Sequence, residues 1–249
     1  MSNQNAPSRI AIDTHTHTVI SGHAWSTLEE NIAAGQRVGL KGLVVTDHAF
    51  SIPGTITQLA PDSYHMLPSE VDGFLLFYGM EFNIFDRDGT IDPYSQKSLD
   101  QVQFGIASLH NQCFTPATSA DHTDAYIAAL SHPTIDIVGH PGSPVYPCDV
   151  EAVVAAARKQ NKLIEINNNS FVVRTGCHDN CLAFARECKK QGVRVSVSSD
   201  AHFSRSVGRV ELAWQVIEEA EFPSELIVNL TAERFQAFLA ERTAEKLLS

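Results

Sequence analysis

Short apolar runs recur along the chain, separated by longer amphipathic stretches. The runs are Ile10–Ile12, Gly42–Thr46, Phe74–Met80, Phe104–Leu109, Asp136–Gly139, Leu163–Ile166 and Val193–Ser198. Most are continuous rather than alternating, the pattern of parallel strands covered on both faces. The stretches between them carry helix start and stop signals. Ser26-Thr27-Leu28-Glu29 predicts a capping box before a helix to about Val38, with Gly39 as its stop. Asp121 or Thr123 predicts the cap of a helix to about Leu130, and Asp149 that of a helix to Lys159. Further helices are expected over about Asp179–Lys190, ended by Gly192, over Val210–Ala220, and from Ala232 behind a Thr231 cap. Alternating strand and helix implies a parallel sheet with right-handed crossovers. Seven strand candidates suit a closed or nearly closed α/β barrel better than an open sheet. No linker, low-complexity tract or internal repeat stands out. Residues 1–249 are therefore read as one domain, with 1–8 as a loose polar tail.

Barrels of this kind place their working residues where strands run into βα loops, at the C-terminal face. The first strand leads into Asp13-Thr14-His15-Thr16-His17-Thr18. Positions two apart on a strand share a face, so His15 and His17 project together, a sensible arrangement if both bind a cation. The second strand ends in Asp47-His48, the third in Glu81, the fourth in His110, the fifth in His140 and the seventh in Asp200-Ala201-His202. His23 lies in the loop after the first strand, and the sixth strand ends in Asn167-Asn168-Asn169. The remaining histidines, His65, His122, His132 and His178, fall in loops or at helix edges and serve as background. Nine candidate ligands, His15, His17, His23, His48, Glu81, His110, His140, Asp200 and His202, exceed the needs of one catalytic zinc ion. Two or three ions with a shared carboxylate fit better, and imidazole with carboxylate suits zinc, manganese or iron.

Composition narrows the functional class. With 249 residues and 43% hydrophobic content, the chain can build one substantial core. No apolar run approaches ~20 residues, so no membrane helix is expected. MSNQNAPSR lacks the apolar core of a signal peptide, and a cytoplasmic location is expected. A net charge of −11 argues against an extended nucleic-acid surface. Cys113, Cys148, Cys177, Cys181 and Cys188 form no CxxC and are read as reduced thiols.

The motifs DTHTHT (13–18), TDH (46–48), Glu81, SLH (108–110), GHPG (139–142) and SDAH (199–202) together resemble the PHP (polymerase and histidinol phosphatase) domain family. The resemblance spans Asp13 to the helices beyond His202. HAWSTL (23–28) and EINNNSF (165–171) look like its small stand-alone YcdX-type bacterial phosphatases. It implies a distorted seven-stranded TIM-like (βα) barrel with three metal ions, usually zinc, at the C-terminal face. His15, His17, Glu81 and Asp200 would hold the first ion, and Glu81, His110 and His140 the second, with Glu81 bridging. His23, His48 and His202 would hold the third. Asp13 and Asp47 are read as acceptors that orient ligand imidazoles, or as plain strand-end carboxylates.

The implied activity is hydrolysis of small phosphate monoesters by a metal-activated hydroxide, with Glu81, Asp200 and His202 as the catalytic group. Arg174 or Arg205 would add a phosphate anchor, and Asn168 and Ser170 a pocket wall. The alternatives are a PHP-type exonuclease or phosphodiesterase, metal-dependent C–N hydrolysis, and a metal-binding module without turnover. Either a monomer or a ring-shaped oligomer is compatible with the sequence.

Overall fold

Seven of the eight strands in the computed structural model, which describes residues 8–248, run parallel. The strands are β1 (Ile12–Thr16), β2 (Gly42–Val45), β3 (Glu70–Val71), β4 (Phe74–Asn83), β5 (Phe104–Ser108), β6 (Ile135–Val138), β7 (Leu163–Asn167) and β8 (Val195–Ser198). The parallel order is β1-β2-β4-β5-β6-β7-β8. β8 returns to β1 just beyond its own end, where His17 N donates to Ala201 O at 2.9 Å. The result is the nearly closed α/β barrel expected from the strand–helix alternation.

β3 is the addition. It pairs antiparallel with β4 across Asp72-Gly73, both at positive φ (51° and 79°), as a tight two-residue hairpin requires. Three strands, β1, β4 and β7, also run further than their apolar runs. β1 reaches Thr16, so His15 lies inside the strand rather than after it, and β4 continues from Met80 to Asn83. Polar residues can occupy these buried positions because neighbouring strands satisfy them. Thr16 Oγ1 donates to Val44 O at 2.7 Å, and Thr14 Oγ1 lies 2.6 Å from Ser196 Oγ.

The helices are α1 (Leu28–Arg37), α2 (Ala60–Ser63), α3 (Gln96–Leu99), α4 (Ser119–Leu130), α5 (Val150–Lys159), α6 (Ser170–Val173), α7 (His178–Gln191), α8 (Glu211–Glu219) and α9 (Ala232–Leu248). Two expected caps shift. Thr27, not Ser26, caps α1, because its reciprocal partner is Glu30 rather than Glu29. Thr118 caps α4, and Asp121, expected as the cap, is its reciprocal partner three residues on. Asp149 caps α5 and Gly192 ends α7 in the left-handed conformation, both as expected. The expected N-terminal tail lies outside the described residues except for Ser8. Ser8 is docked, its N donating to Val38 O and its Oγ to Gly208 O, each at 2.8 Å. Among the described residues no helix is long and apolar enough to cross a membrane.

Outer helices cover the barrel wall, and α9 plugs the end opposite the strand C-termini. Phe235 and Phe238 of α9 are fully buried, and both meet Phe104 at the start of β5 edge-on. Arg242 of α9 donates through Nε to the wholly buried Asp136 at 2.9 Å, and Gly105 N donates to the other oxygen of that carboxylate at 2.9 Å. The active end of the barrel is thus left free for polar chemistry while its base is sealed.

Lys162 lies in the same basal region, 4% exposed, with Nζ donating to His132 O at 2.5 Å. Burial, helped by Arg242, pushes its ammonium down from 10.5 to about 7. Between those values the unfolded chain binds the proton that the folded chain has lost, so stability rises with pH across that window. Lys162→Met removes this contribution. The stability of the parent relative to Lys162→Met is expected to rise by about 2–3 kcal/mol between pH 6.5 and pH 9, read by urea unfolding. An identical difference at both pH values would show that Lys162 stays charged in the fold.

Candidate active site

Buried imidazoles crowd one carboxylate at the C-terminal end of the barrel. Glu81 Oε2 lies 2.8 Å from His48 Nδ1, 3.3 Å from His15 Nε2 and 3.5 Å from His17 Nε2. Glu81 Oε1 lies 3.0 Å from His140 Nε2 and 3.3 Å from His110 Nε2. Asp200 Oδ1 is 3.2 Å from His17 Nε2 and 3.7 Å from His15 Nε2. His23 Nε2 and His202 Nε2 face each other at 3.0 Å. The fold therefore brings all nine candidate ligands together from six strand ends and the first loop. His65, His122, His132 and His178 stay outside the cluster. His122 is fully buried but spends both ring nitrogens locally, on Ala117 N and Pro147 O.

The backbone bends to present two of these groups. His140 and Asp200 sit at positive φ (31° and 54°), a conformation that costs L side chains free energy and concentrates at functional sites. Glu165 Oε2 helps hold the first by accepting from His140 N at 2.6 Å.

The outer edges of the rings are tied down so that the inner nitrogens point at the cluster. His15 Nδ1 donates to Glu165 Oε1 at 2.7 Å, and His110 Nδ1 to Asn83 Oδ1 at 2.7 Å. His17 Nδ1 donates to Ser21 Oγ at 3.1 Å. His23 and His202 use the backbone oxygens of Ser21 and Asp200. In the neutral ring each such bond leaves Nε2 as the lone-pair nitrogen facing inward.

These supports differ from those expected. Asp13 accepts from Ser199 N, Ser199 Oγ and Gly208 N, so it ties β1 to the loop after β8 and orients no imidazole directly. Asp47 accepts from Thr18 and from Ser21 Oγ, and reaches His17 only through that serine. Glu165, set between Ile164 and Ile166 of β7, and Asn83, beyond the apolar run of β4, are the direct partners. The signal for Glu165 was a carboxylate in a strand buried on both faces, where an unpaired charge is prohibitive.

Burial is the largest single influence on the ionisable groups here. It lowers His17 well below its ordinary value, with His202 and His48 adding repulsion. It lowers His23 and pushes His140 down to about 4. Burial would raise Glu81, but His15, His48 and His110 hold it well below the usual carboxylate range. His15, with Asp200's partner His17 and with His202, does the same for Asp200. At His15 burial is overcome by Glu165, Glu81 and Asp200, which raise it well above the ordinary value. Ionised Glu81 and Asp200 and neutral His17, His23 and His140 are in the protonation states that cation ligation requires, whereas His15 must give up its proton to an incoming cation.

Four buried atoms of the cluster lie close to one another yet make no hydrogen bond of acceptable geometry: His15 Nε2, His17 Nε2, His48 Nδ1 and Glu81 Oε2. Orphaned polar atoms at this depth are costly, and these converge on one another. Donor atoms within 4.8 Å of one another group as His15-His17-Glu81, His48-Glu81-His110 and His17-His48-His202. The residues fit divalent metal ions of the zinc, manganese or iron class. His17 and His48 each fall in two groups, so the distances do not by themselves reproduce the partition that the resemblance implies.

A cavity of about 510 Å³ opens above the cluster. Arg174 lines it, with Nη1 3.8 Å from Asp200 Oδ2 and 3.2 Å from Ser170 Oγ. Arg209 lines it too and carried no signal in the sequence, whereas the exposed Arg205 of the 204–206 turn is not among the lining residues. Asn168 reaches the cavity, but its Oδ1 accepts from Leu212 N and Ala213 N at the start of α8. Ser170 is fully buried beneath Arg174 and does not line the cavity.

Comparison with known proteins places the chain. It is 45% identical to a probable phosphatase of Caldicellulosiruptor saccharolyticus over 92% of this chain and 96% of that protein. It is 40% identical to a probable phosphatase of Acetivibrio thermocellus over 94% and 97%. The chain belongs to this phosphatase family. No protein-family model matches the phosphatase. Among solved structures, the histidinol phosphate phosphatase of Lactococcus lactis, complexed with zinc, L-histidinol and phosphate, superposes with a TM-score of 0.57. It covers 86% of the phosphatase and 94% of its own chain at 17% identity, a likeness of fold.

Proposed function

We propose that this phosphatase is a metal-dependent phosphomonoesterase of the PHP type, similar to the YcdX-type enzymes, with the whole chain forming one such domain. The observation that carries the reading is the convergence of three buried imidazole nitrogens on Glu81 Oε2, none of the four atoms satisfied by a hydrogen bond. His15, His17, His23, His48, Glu81, His110, His140, Asp200 and His202 are the residues that would hold the ions, three in number. Zinc is favoured by the imidazole-rich set and by the zinc in the Lactococcus neighbour. When bound, the ions supply a water of lowered pKa and positive charge for the phosphoryl oxygens.

The chain's own groups do the rest. Glu81 places one negative charge among five imidazoles and so binds the cluster into one unit. Asp200, held ionised, completes the inner wall beside His15 and His17. Arg174 offers a guanidinium to a phosphoryl oxygen at the cavity floor. His202 lines the cavity, next in sequence to the exposed Phe203. A positive floor of this kind reconciles anionic substrates with a chain of net charge −11.

Gently purified protein is expected to contain two to three zinc-class ions per chain by elemental analysis. The same sample should hydrolyse p-nitrophenyl phosphate, lose turnover on chelation and regain it with added zinc. Stoichiometric metal without turnover on a broad phosphoester panel would favour a binding module. Cleavage of single-stranded oligonucleotides in preference to monoesters would favour the exonuclease.

A further inference from the structure

The mouth of the cavity does not match its floor. Trp25 is 80% exposed, Val172 69%, Val173 60% and Phe203 47%, and all four line the same 510 Å³ space. Isolated apolar residues on a surface need no explanation, but four sharing one concavity form a patch. They come from the loops after β7, β8 and β1, which are neighbours around the barrel, so they make one continuous arc of the rim. The arc is built rather than loose. Trp25 N donates to His202 O and Ser204 N to Ser26 Oγ, each at 2.8 Å, which clamps the Trp25 and Phe203 loops together. α6, which carries the two valines, is fixed by Ser170 N donating to Asn167 Oδ1 at 2.8 Å.

Several polar groups near this arc already have protein partners. Asn168 Oδ1 serves the start of α8, Arg209 pairs with Glu211 at 3.2 Å, and Arg174 bonds Ser170. An apolar ring would meet an indole, a phenyl ring and two valines. The cavity also exceeds the need of a phosphoryl group, falling within the roughly 300–1,000 Å³ that takes a drug-sized ligand.

We infer that the substrate's leaving group carries an apolar aromatic ring that packs on Trp25 and Phe203. The phosphatase then prefers phosphomonoesters of ring-bearing alcohols over those of small polyols. This inference rests on the phosphomonoesterase reading and names the substrate class of the same site.

The test compares 2-phenylethyl phosphate with ethyl phosphate on the metal-loaded full-length protein. Both release a primary alcohol, so the chemical step is matched and the ring is the variable. The ring-bearing ester is expected to have a kcat/KM about tenfold higher, mostly through KM. Trp25→Ala should bring that ratio toward one, and Trp25→Phe should keep most of it.

A second readout needs no turnover. In a Trp214→Phe background, Trp25 emission should shift and quench on titration with 3-phenylpropylphosphonate and not with propylphosphonate. Equal kcat/KM for the two esters in the parent, with no emission change, overturns the inference. A lower sedimentation mass in Trp25→Ala with the ester ratio unchanged also overturns it, and assigns the arc to a second copy of the chain. If neither ester turns over, the phosphomonoesterase reading fails, and the phosphonate titration still decides whether the ring site exists.

Discussion

Glu81→Gln is expected to lower kcat/KM for p-nitrophenyl phosphate by more than about 100-fold, beyond the 10–100-fold typical of losing an outer partner of a metal ligand. His65→Ala, in an exposed turn outside the cluster, should stay within about twofold of the parent. The difference follows from position. Both oxygens of Glu81 face imidazole nitrogens, five in all, and Ser108 Oγ donates to Oε1 at 2.6 Å. Gln keeps the shape but removes the charge and aims an NH₂ group at lone pairs. Metal content should fall with activity, because the charge that holds neighbouring ions together is gone. Metal bound at the parental level with parental turnover in Glu81→Gln would remove Glu81 from this role.

Glu165→Gln is expected to cost 10–100-fold in metal affinity and a similar factor in kcat/KM. Glu165 reaches no substrate position and acts through its neighbours. It accepts from His15 Nδ1, His140 N and Ser198 Oγ, and so sets the tautomer of one candidate ligand and the strained backbone of another. A purely structural residue would lower the melting temperature and leave the affinity of the folded protein intact. Competition with a graded chelator, on samples shown to be folded, separates the two. Glu165→Asp, which retains the charge at shorter reach, should recover part of the loss. Unchanged metal affinity in folded Glu165→Gln would show that His15 is oriented by the cluster itself.

The barrel was legible because its strands are covered on both faces and read as apolar runs, while capped helices fill the gaps. The nine candidate ligands were legible because barrel topology gathers the ends of successive strands at one face, so a His, Asp or Glu after nearly every run points to one site. Some signals were present but unread, such as Asp72-Gly73 between Val71 and Phe74, which makes the β3–β4 hairpin. Others were read one step off, as with Ser26 for Thr27, where the reciprocal carboxylate decides the cap.

The supports of the site belong to a different class. Asp13 and Asp47 stand beside the ligand histidines in sequence, yet they bind serine, threonine and glycine groups of the barrel seam. His15 instead leans on Glu165, 150 positions away, and His110 on Asn83, 27 away. The apolar arc of Trp25, Val172, Val173 and Phe203 likewise arises only where the last strands close onto the first. By itself the sequence determined which residues face the working end of the barrel, because strand order and side-chain alternation are local properties. Which carboxylate holds which imidazole was decided by the tertiary structure alone, because it depends on the register between strands far apart in the chain and on the closure of the barrel.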